Sequence, residues 1–442
     1  MKNVNILLTQ SSIIFIAAFS YFILDLVDFY NVISIIIVVL IANKQYLFSL
    51  RNVFISYTWL VFEFAGRGYY FPQSMDIYYD FLIYSSIFGC GAVLVSVVRN
   101  SKETSHTEKY FLLKDIDTKK YEKILKVLTL LKIFILILTI SNTGIQNFYS
   151  GYTLADKIEN YSQGGIGEAL EVVLNSFEST ISMSAICLYT SSCIIQKKNI
   201  NYGLLTFFLI GLPILSLKRS TILFGVFTLG IISWLHGSKK IYVMTITLGI
   251  ILSIISGIFI GNIRSESLSN QSSNLSWQTF IYEEFSPIVA YSEIKRMAEI
   301  DGYTFGSTII YPLIYKPIPR SLMPDKPLNS SATYGYKYDP DSANKGFFMA
   351  PTIYGDIFLN FGYIGCILFC FLSGITLENF DIMILKERKY FYLPLYIMLF
   401  YNFYSIMRNN ISDSLFSIML SIILVILACE REKNKKSTKI SN

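Results

Sequence analysis

Four arginines carry the strongest chemical signal in this sequence: Arg219, Arg264, Arg320 and Arg408. A guanidinium stays charged at any relevant pH and presents paired N–H groups to phosphate oxygens. Several of them converging at one depth form a site for a pyrophosphate. Each alone has a plainer use, as a cation anchored at lipid headgroups. Carboxylates able to take a proton stand in the same part of the chain: Glu266, two residues after Arg264, then Glu283, Glu284 and Asp325. Residue type and spacing do not rank these acids.

The elements that must position these groups are membrane helices. Of the residues, 53% are hydrophobic and 15% charged, against roughly 25% charged in a soluble domain. The apolar residues fall in runs near the ~20 residues that a spanning helix needs. About twelve such spans can be placed, near 6–24, 30–42, 49–65, 77–98, 124–140, 174–195, 200–217, 220–236, 241–261, 355–377, 391–407 and 411–428. The N-terminus has one lysine and no clear small-residue cleavage site, so it reads as an uncleaved first span. The expected fold is an all-α polytopic integral membrane protein, one membrane domain over 1–442.

Basic residues in short loops set the orientation. With the N-terminus cytoplasmic, the inner segments carry twenty-one Lys and Arg and the short outer loops five. That asymmetry places both termini inside. It puts a cytoplasmic loop at 99–123 and outer loops at 141–173 and 262–354. It also accounts for the net charge of +6 as a topology signal, with no nucleic-acid partner implied. Arg219, Arg264 and Arg408 then lie at outer helix ends, where a basic residue is disfavoured and therefore informative.

The large outer loop, Asn262 to Tyr354, holds eight of the eleven prolines. Its focus is Tyr311 to Pro327, YPLIYKPIPRSLMPDKP. Proline fixes φ and cannot donate a backbone hydrogen bond, so this stretch is expected to be stiff, extended and folded back, carrying Arg320 and Asp325 as an arm. Ahead of it, Trp277, Ile281, Phe285 and Ile288 recur at helical spacing, with Pro287 expected to interrupt the helix. The loop is nearly balanced in charge, eight basic against nine acidic residues, so its charges act locally. The 141–173 loop combines glycines with Tyr149, Tyr152 and Tyr161, a pairing that suits sugar contact or headgroup anchoring.

Several classes find no support. There is no P-loop, Rossmann fingerprint, HExxH, GxSxG or paired CxxC. The six cysteines all fall in apolar runs and read as small core residues. The two histidines, His106 and His236, both fall inside under this topology, so outer-face chemistry must work without histidine. No cofactor is implied. A sugar on a polyprenyl pyrophosphate is already activated by its leaving group. An enzyme then has to hold the pyrophosphate, neutralise charge as the bond breaks and orient an acceptor hydroxyl. Arginines do the first two without metal, and a carboxylate can serve the third.

KRSTILFG (Lys218 to Gly225), GNIRSES (Gly261 to Ser267), IPRSLMPDKP (Ile318 to Pro327) and PTIYGDIFLNFGYIGC (Pro351 to Cys366), in that order, resemble the bacterial oligosaccharide repeat-unit polymerases, the O-antigen polymerases of Wzy type. The resemblance covers about residues 200–425 by motif order and the whole chain by hydropathy. It implies a GT-C-like membrane glycosyltransferase of the bacterial inner membrane. Such an enzyme joins undecaprenyl-pyrophosphate-linked repeat units on the periplasmic face, in surface polysaccharide and lipopolysaccharide biosynthesis, alongside a chain-length regulator and a flippase. It carries functional roles to Arg219, Arg264 and Arg320; Arg408 is added on position alone. Glu266 and Asp325 are the carboxylates placed with Arg264 and Arg320 as catalytic candidates. Two alternatives stay open. A flippase or exporter of the lipid-linked oligosaccharide would be expected to carry inverted repeats and a polar cavity. An O-antigen ligase resembles the polymerases but uses an outer-loop histidine, which this loop lacks.

Overall fold

The computed structural model describes residues 49–55, 58, 75–100, 116–143, 166–215, 219–238, 287–316, 318, 323, 325–338, 340, 343, 350–387, 390–408 and 410–440. Among them every regular element is helical. In chain order these are α1 (Met75–Asn100), α2 (Thr118–Thr143), α3 (Ile166–Gln196), α4 (Tyr202–Leu215, with a π-helical turn over Phe207–Gly211), α5 (Arg219–His236), α6 (Pro287–Asp301), α7 (Ser307–Tyr315), α8 (Ser330–Tyr338), α9 (Thr352–Lys386), α10 (Leu393–Arg408) and α11 (Ile411–Ile440). A short helical segment over 50–55 precedes them. The spans expected near 77–98, 124–140, 174–195, 200–217, 220–236, 391–407 and 411–428 each coincide with a helix. Those near 6–24, 30–42 and 241–261 lie outside the described residues. Among the described residues one helix, Thr352–Lys386, is long and apolar enough to cross a membrane by length and composition.

The chain divides into two compact units. The first comprises Met1–His106, Glu284–Phe305 and Pro351–Arg388. Its axis is α1 packed against α9. The two run in the same direction, because contacts rise together in number: Phe88 meets Gly374, Gly91 meets Ile375, Ser96 bonds Glu378 and Arg99 bonds Glu387. Glycine is what permits the approach. A Cβ on Gly91 would sit 2.4 Å from the Phe371 carbonyl oxygen, and one on Gly374 would sit 2.2 Å from that of Phe88. Backbones this close are the mark of small-residue packing between apolar helices.

The span expected near 355–377 falls within α9, the membrane-length helix, but α9 is broken inside it. Gly362 has φ 64° and ψ −158°, a conformation open to glycine and closed to residues with a Cβ. Here the chain folds back. The Cys366 thiol comes within 3.6 Å of the Tyr354 carbonyl oxygen, whereas twelve residues of straight helix span about 18 Å. The continuous run therefore begins at 363 and ends at 386. The folded-back leg, 352–361, is buried almost throughout. Its far end is held by the segment after α6: Thr304 N–H donates to Leu359 O at 2.9 Å, and Phe305 N–H to Asn360 O at 3.1 Å. These bonds satisfy carbonyls that a helix end leaves open.

Proline stands in helices at two places. Pro287 is the first residue of α6, where its missing N–H costs no intrahelical bond; the residues ahead of it, on which the expected interruption turns, lie outside the described residues. Pro312 lies inside α7, so Tyr311–Tyr315 is helical and not extended. The helix survives because it is only 9 residues long and ends three residues later, at Tyr315.

The second unit comprises Thr107–Glu283, Gly306–Ala350 and Lys389–Asn442. In it α10 packs against α3, α5 and α11, while α2 packs on α3. The hairpin α4–α5 closes around Gly225, whose Cβ would fall 2.0 Å from the Leu209 carbonyl oxygen inside the π-helical turn. At the other end of this hairpin Tyr202 and His236 meet at 3.2 Å, and the His236 ring also contacts Lys198 O at 3.0 Å.

Candidate functional site

Within the second unit the proline-rich arm meets α11 at one end and the turn between α10 and α11 at the other. The Lys316 ammonium, at the end of α7, lies 5.7 Å from the centre of the Phe416 ring of α11. At the start of α8, Ser330 Oγ bonds Asn410 Oδ1 at 3.0 Å, and the Ser331 N–H donates to the same oxygen at 3.0 Å. Asn410 is buried and follows Arg408, the last residue of α10, by two positions. Between these anchors Lys326 Nζ donates to Lys316 O at 3.2 Å and Ile318 O at 3.0 Å. One ammonium thus joins the later side of the arm to two carbonyls of the earlier side. The described ends of the arm fold back on each other, while 317, 319–322 and 324 lie outside the described residues.

Asp325 is exposed in the turn beside Lys326. Arg408 is half-buried at the C-terminal end of α10, where a cation also complements the helix dipole. Arg219 is the first residue of α5, which packs against α10. Arg264, Glu266, Glu283, Glu284 and Arg320 lie outside the described residues. The arm that contains Arg320 in sequence meets Phe416 of α11 at one end and, at the other, Asn410, two residues after Arg408.

The first unit contains a buried polar cluster that no motif announced. Lys295 of α6 pairs with Asp80 of α1 at 2.8 Å, and the Tyr291 hydroxyl donates to the same Asp80 oxygen at 3.0 Å. Tyr291 and Tyr84 share a hydroxyl contact of 3.1 Å, and Tyr84 stacks on Tyr354 of the folded-back leg at 5.5 Å. The Lys295 ammonium lies 4.8 Å from the Tyr363 ring centre. Burial pulls the Lys295 pKa down, but the Asp80 hydrogen bond and charge outweigh it, with Tyr363, and the net direction is up. Burial first, then the Tyr84 and Asp80 neighbours, pushes the Tyr291 phenol well up, so it stays a neutral donor. The cluster locks α6 against α1 and α9. Asp80 was detectable, as a carboxylate inside an apolar run, which is a functional or pairing signal by default.

A second buried set closes the other end of this unit. Glu378 accepts from Arg51 at 3.0 Å and Ser96 at 2.7 Å. Asp381 accepts the N–H groups of Leu50 and Arg51 at 2.9 and 3.0 Å, capping the 50–55 segment from a distant helix, as an anion at a helix N-terminus should. All six cysteines are free, and Cys366 and Cys370 are fully buried, as small core residues would be.

No curated protein and no solved structure matches the chain. The family model for O-antigen polysaccharide polymerase Wzy matches residues 1–431. With nearly the whole length covered, this chain belongs to the Wzy family of O-antigen polysaccharide polymerases, which are membrane proteins acting on lipid-linked oligosaccharide repeat units.

Proposed function

We propose that this protein joins undecaprenyl-pyrophosphate-linked oligosaccharide repeat units by glycosyl transfer, on the periplasmic face of the inner membrane, with about twelve spans and both termini cytoplasmic. The observation that carries the reading is the family match over residues 1–431. Two further features support it: the excess of Lys and Arg in the segments assigned inside, and the contacts of the arm with α11 and with Asn410, two residues after Arg408.

In this reading Arg219, Arg264, Arg320 and Arg408 hold the donor's pyrophosphate. The bond from the anomeric carbon to the pyrophosphate oxygen breaks, and its electron pair leaves on the pyrophosphate. The guanidinium groups stabilise that developing charge. An acceptor sugar hydroxyl forms the new bond to the anomeric carbon and gives its proton to a carboxylate, Glu266 or Asp325. The products are a longer lipid-linked chain and undecaprenyl pyrophosphate. No metal is required, since arginine supplies fixed positive charge where the leaving group departs. A chain-length regulator and a flippase are the expected partners.

The test is a gel of lipopolysaccharide from cells carrying Arg264→Ala or Arg320→Ala at wild-type protein level. Removing one transition-state donor costs about 10²–10³ in rate, so long chains should vanish while the single-repeat product remains. A normal ladder in both variants would overturn the site assignment. In a deletion strain, loss of polymer with one repeat retained supports the polymerase; loss of every repeat would point to a flippase or ligase. Arg320→Lys keeps the charge but loses the paired N–H fork, and should restore a sparse ladder.

A further inference from the structure

The N-terminal end of α2 has no part in the proposed reaction, yet its charge is unusual. Lys119, Lys120 and Lys123 fall in its first two turns, where the helix dipole disfavours cations. Asp117 caps the helix by accepting the N–H groups of Lys119 at 3.0 Å and Lys120 at 3.4 Å. Glu122 is turned toward Lys126 at 3.0 Å and Asn201 at 3.2 Å. Lys198 joins from the end of α3, its ammonium 3.4 Å from Thr118 Oγ1. Among the described residues, five lysines and two carboxylates gather at this helix end.

Beside them is an open cavity of about 610 Å³, lined by Asp117, Lys119, Lys120, Lys123, Ile124 and Val127 among others. Its polar rim passes directly into an apolar floor. The same helix face continues at i+3 and i+4 spacing through Val127 (63% exposed), Leu130 (67%), Phe134 (56%) and Ile137 (57%). A lysine cluster at one end of an exposed apolar stripe matches an amphiphile with an anionic head and a hydrocarbon tail. We propose that this face of α2 binds an anionic phospholipid, its phosphate held by Lys119, Lys120 and Lys123 and one acyl chain laid along Val127, Leu130, Phe134 and Ile137. Charge complementarity selects the anionic headgroup over a zwitterionic one, and the apolar stripe selects a lipid over free phosphate. The site stands apart from the polymerase reading; either can fail while the other holds.

The test uses the full chain purified in detergent and offered equal amounts of phosphatidylglycerol and phosphatidylcholine, with retained lipid counted by native mass spectrometry. Three lysines should give phosphatidylglycerol an advantage on the order of tenfold or more. The variant K119Q/K120Q/K123Q should bring the ratio near parity. The charge-preserving K119R/K120R/K123R should keep it, which separates loss of charge from loss of fold. Arg296→Gln, on a surface cation of α6 paired with Glu293, should leave the ratio unchanged. Inorganic phosphate should displace no more phosphatidylglycerol than chloride at matched ionic strength. The proposal is overturned by a wild-type ratio near one, by a full preference in the glutamine variant, by its loss in the arginine variant, or by selective displacement with phosphate.

Discussion

At the scale of the residue, the Asp80–Lys295 pair separates what stabilises the molecule from what reacts. Both side chains are largely buried, Asp80 at 6% and Lys295 at 12% side-chain exposure. Removing one partner of a buried pair strands the other charge and costs about 3–5 kcal/mol, whereas replacing both by apolar groups can be nearly neutral. Lys295→Met alone should therefore lower the melting temperature of the detergent-purified protein more than Asp80→Leu/Lys295→Met together; equal losses would mean that the pair is not coupled. The pH dependence follows from sign. The folded Lys295 pKa is raised, so its contribution is complete below the unfolded value of about 10.4 and fades only as pH climbs through the folded one. The stability gap between wild type and Lys295→Met should be flat from about pH 6 to 9 and shrink in strong alkali. The proposed arginines stand out in sequence because they break a topological rule. Asp80 and Lys295 are 215 positions apart, and nothing local in either says that it has found the other. Only the burial of a carboxylate in an apolar run hints at a partner.

At the scale of the element, hydrophobic run length found most helices, since apolar runs of spanning length have few other ways to satisfy their backbone. It did not find the break in α9, because Phe361, Gly362 and Tyr363 keep the run apolar while glycine reverses its direction. Nor did it find α7, where a proline rule meant for helix interiors was applied to a helix of 9 residues. Between apolar helices in lipid there is little hydrophobic gain on contact, so close packing carries the association. Gly374 is the sharpest case, with a would-be Cβ 2.2 Å from the Phe88 carbonyl oxygen. Gly374→Val must push α1 and α9 apart at a cost of about 1–3 kcal/mol, visible as a lower melting temperature. Gly203, near the start of α4, is the counter-case. Its Cβ would meet nothing closer than Asn201 Oδ1 at 3.6 Å, so Gly203→Ala should be neutral or stabilise by about 0.4–1 kcal/mol. If both substitutions behaved alike in a melting experiment, the close approach of α1 and α9 would be wrong.

At the scale of the whole molecule, the proposed orientation decides whether the arginines can share a site, and it rests on the basic residues. Twenty-one Lys and Arg against five in the short loops is a bias that a membrane reads during insertion. The described helices respect the same order within each unit. In the first, Arg99 and Glu387 meet at the ends of α1 and α9 assigned inside, while Asp80 meets α6 at the end assigned outside. In the second, the α2 start, the α3 end and His236 gather together, all in segments assigned inside. A fluorescent protein fused after Asn442 should therefore glow, and alkaline phosphatase inserted near Pro340 should be active in cells. Fluorescence from a fusion near Pro340 instead would place the arm inside. The arginine site would then lose its periplasmic substrate, while the helix packing and the α2 lipid face would stand unchanged.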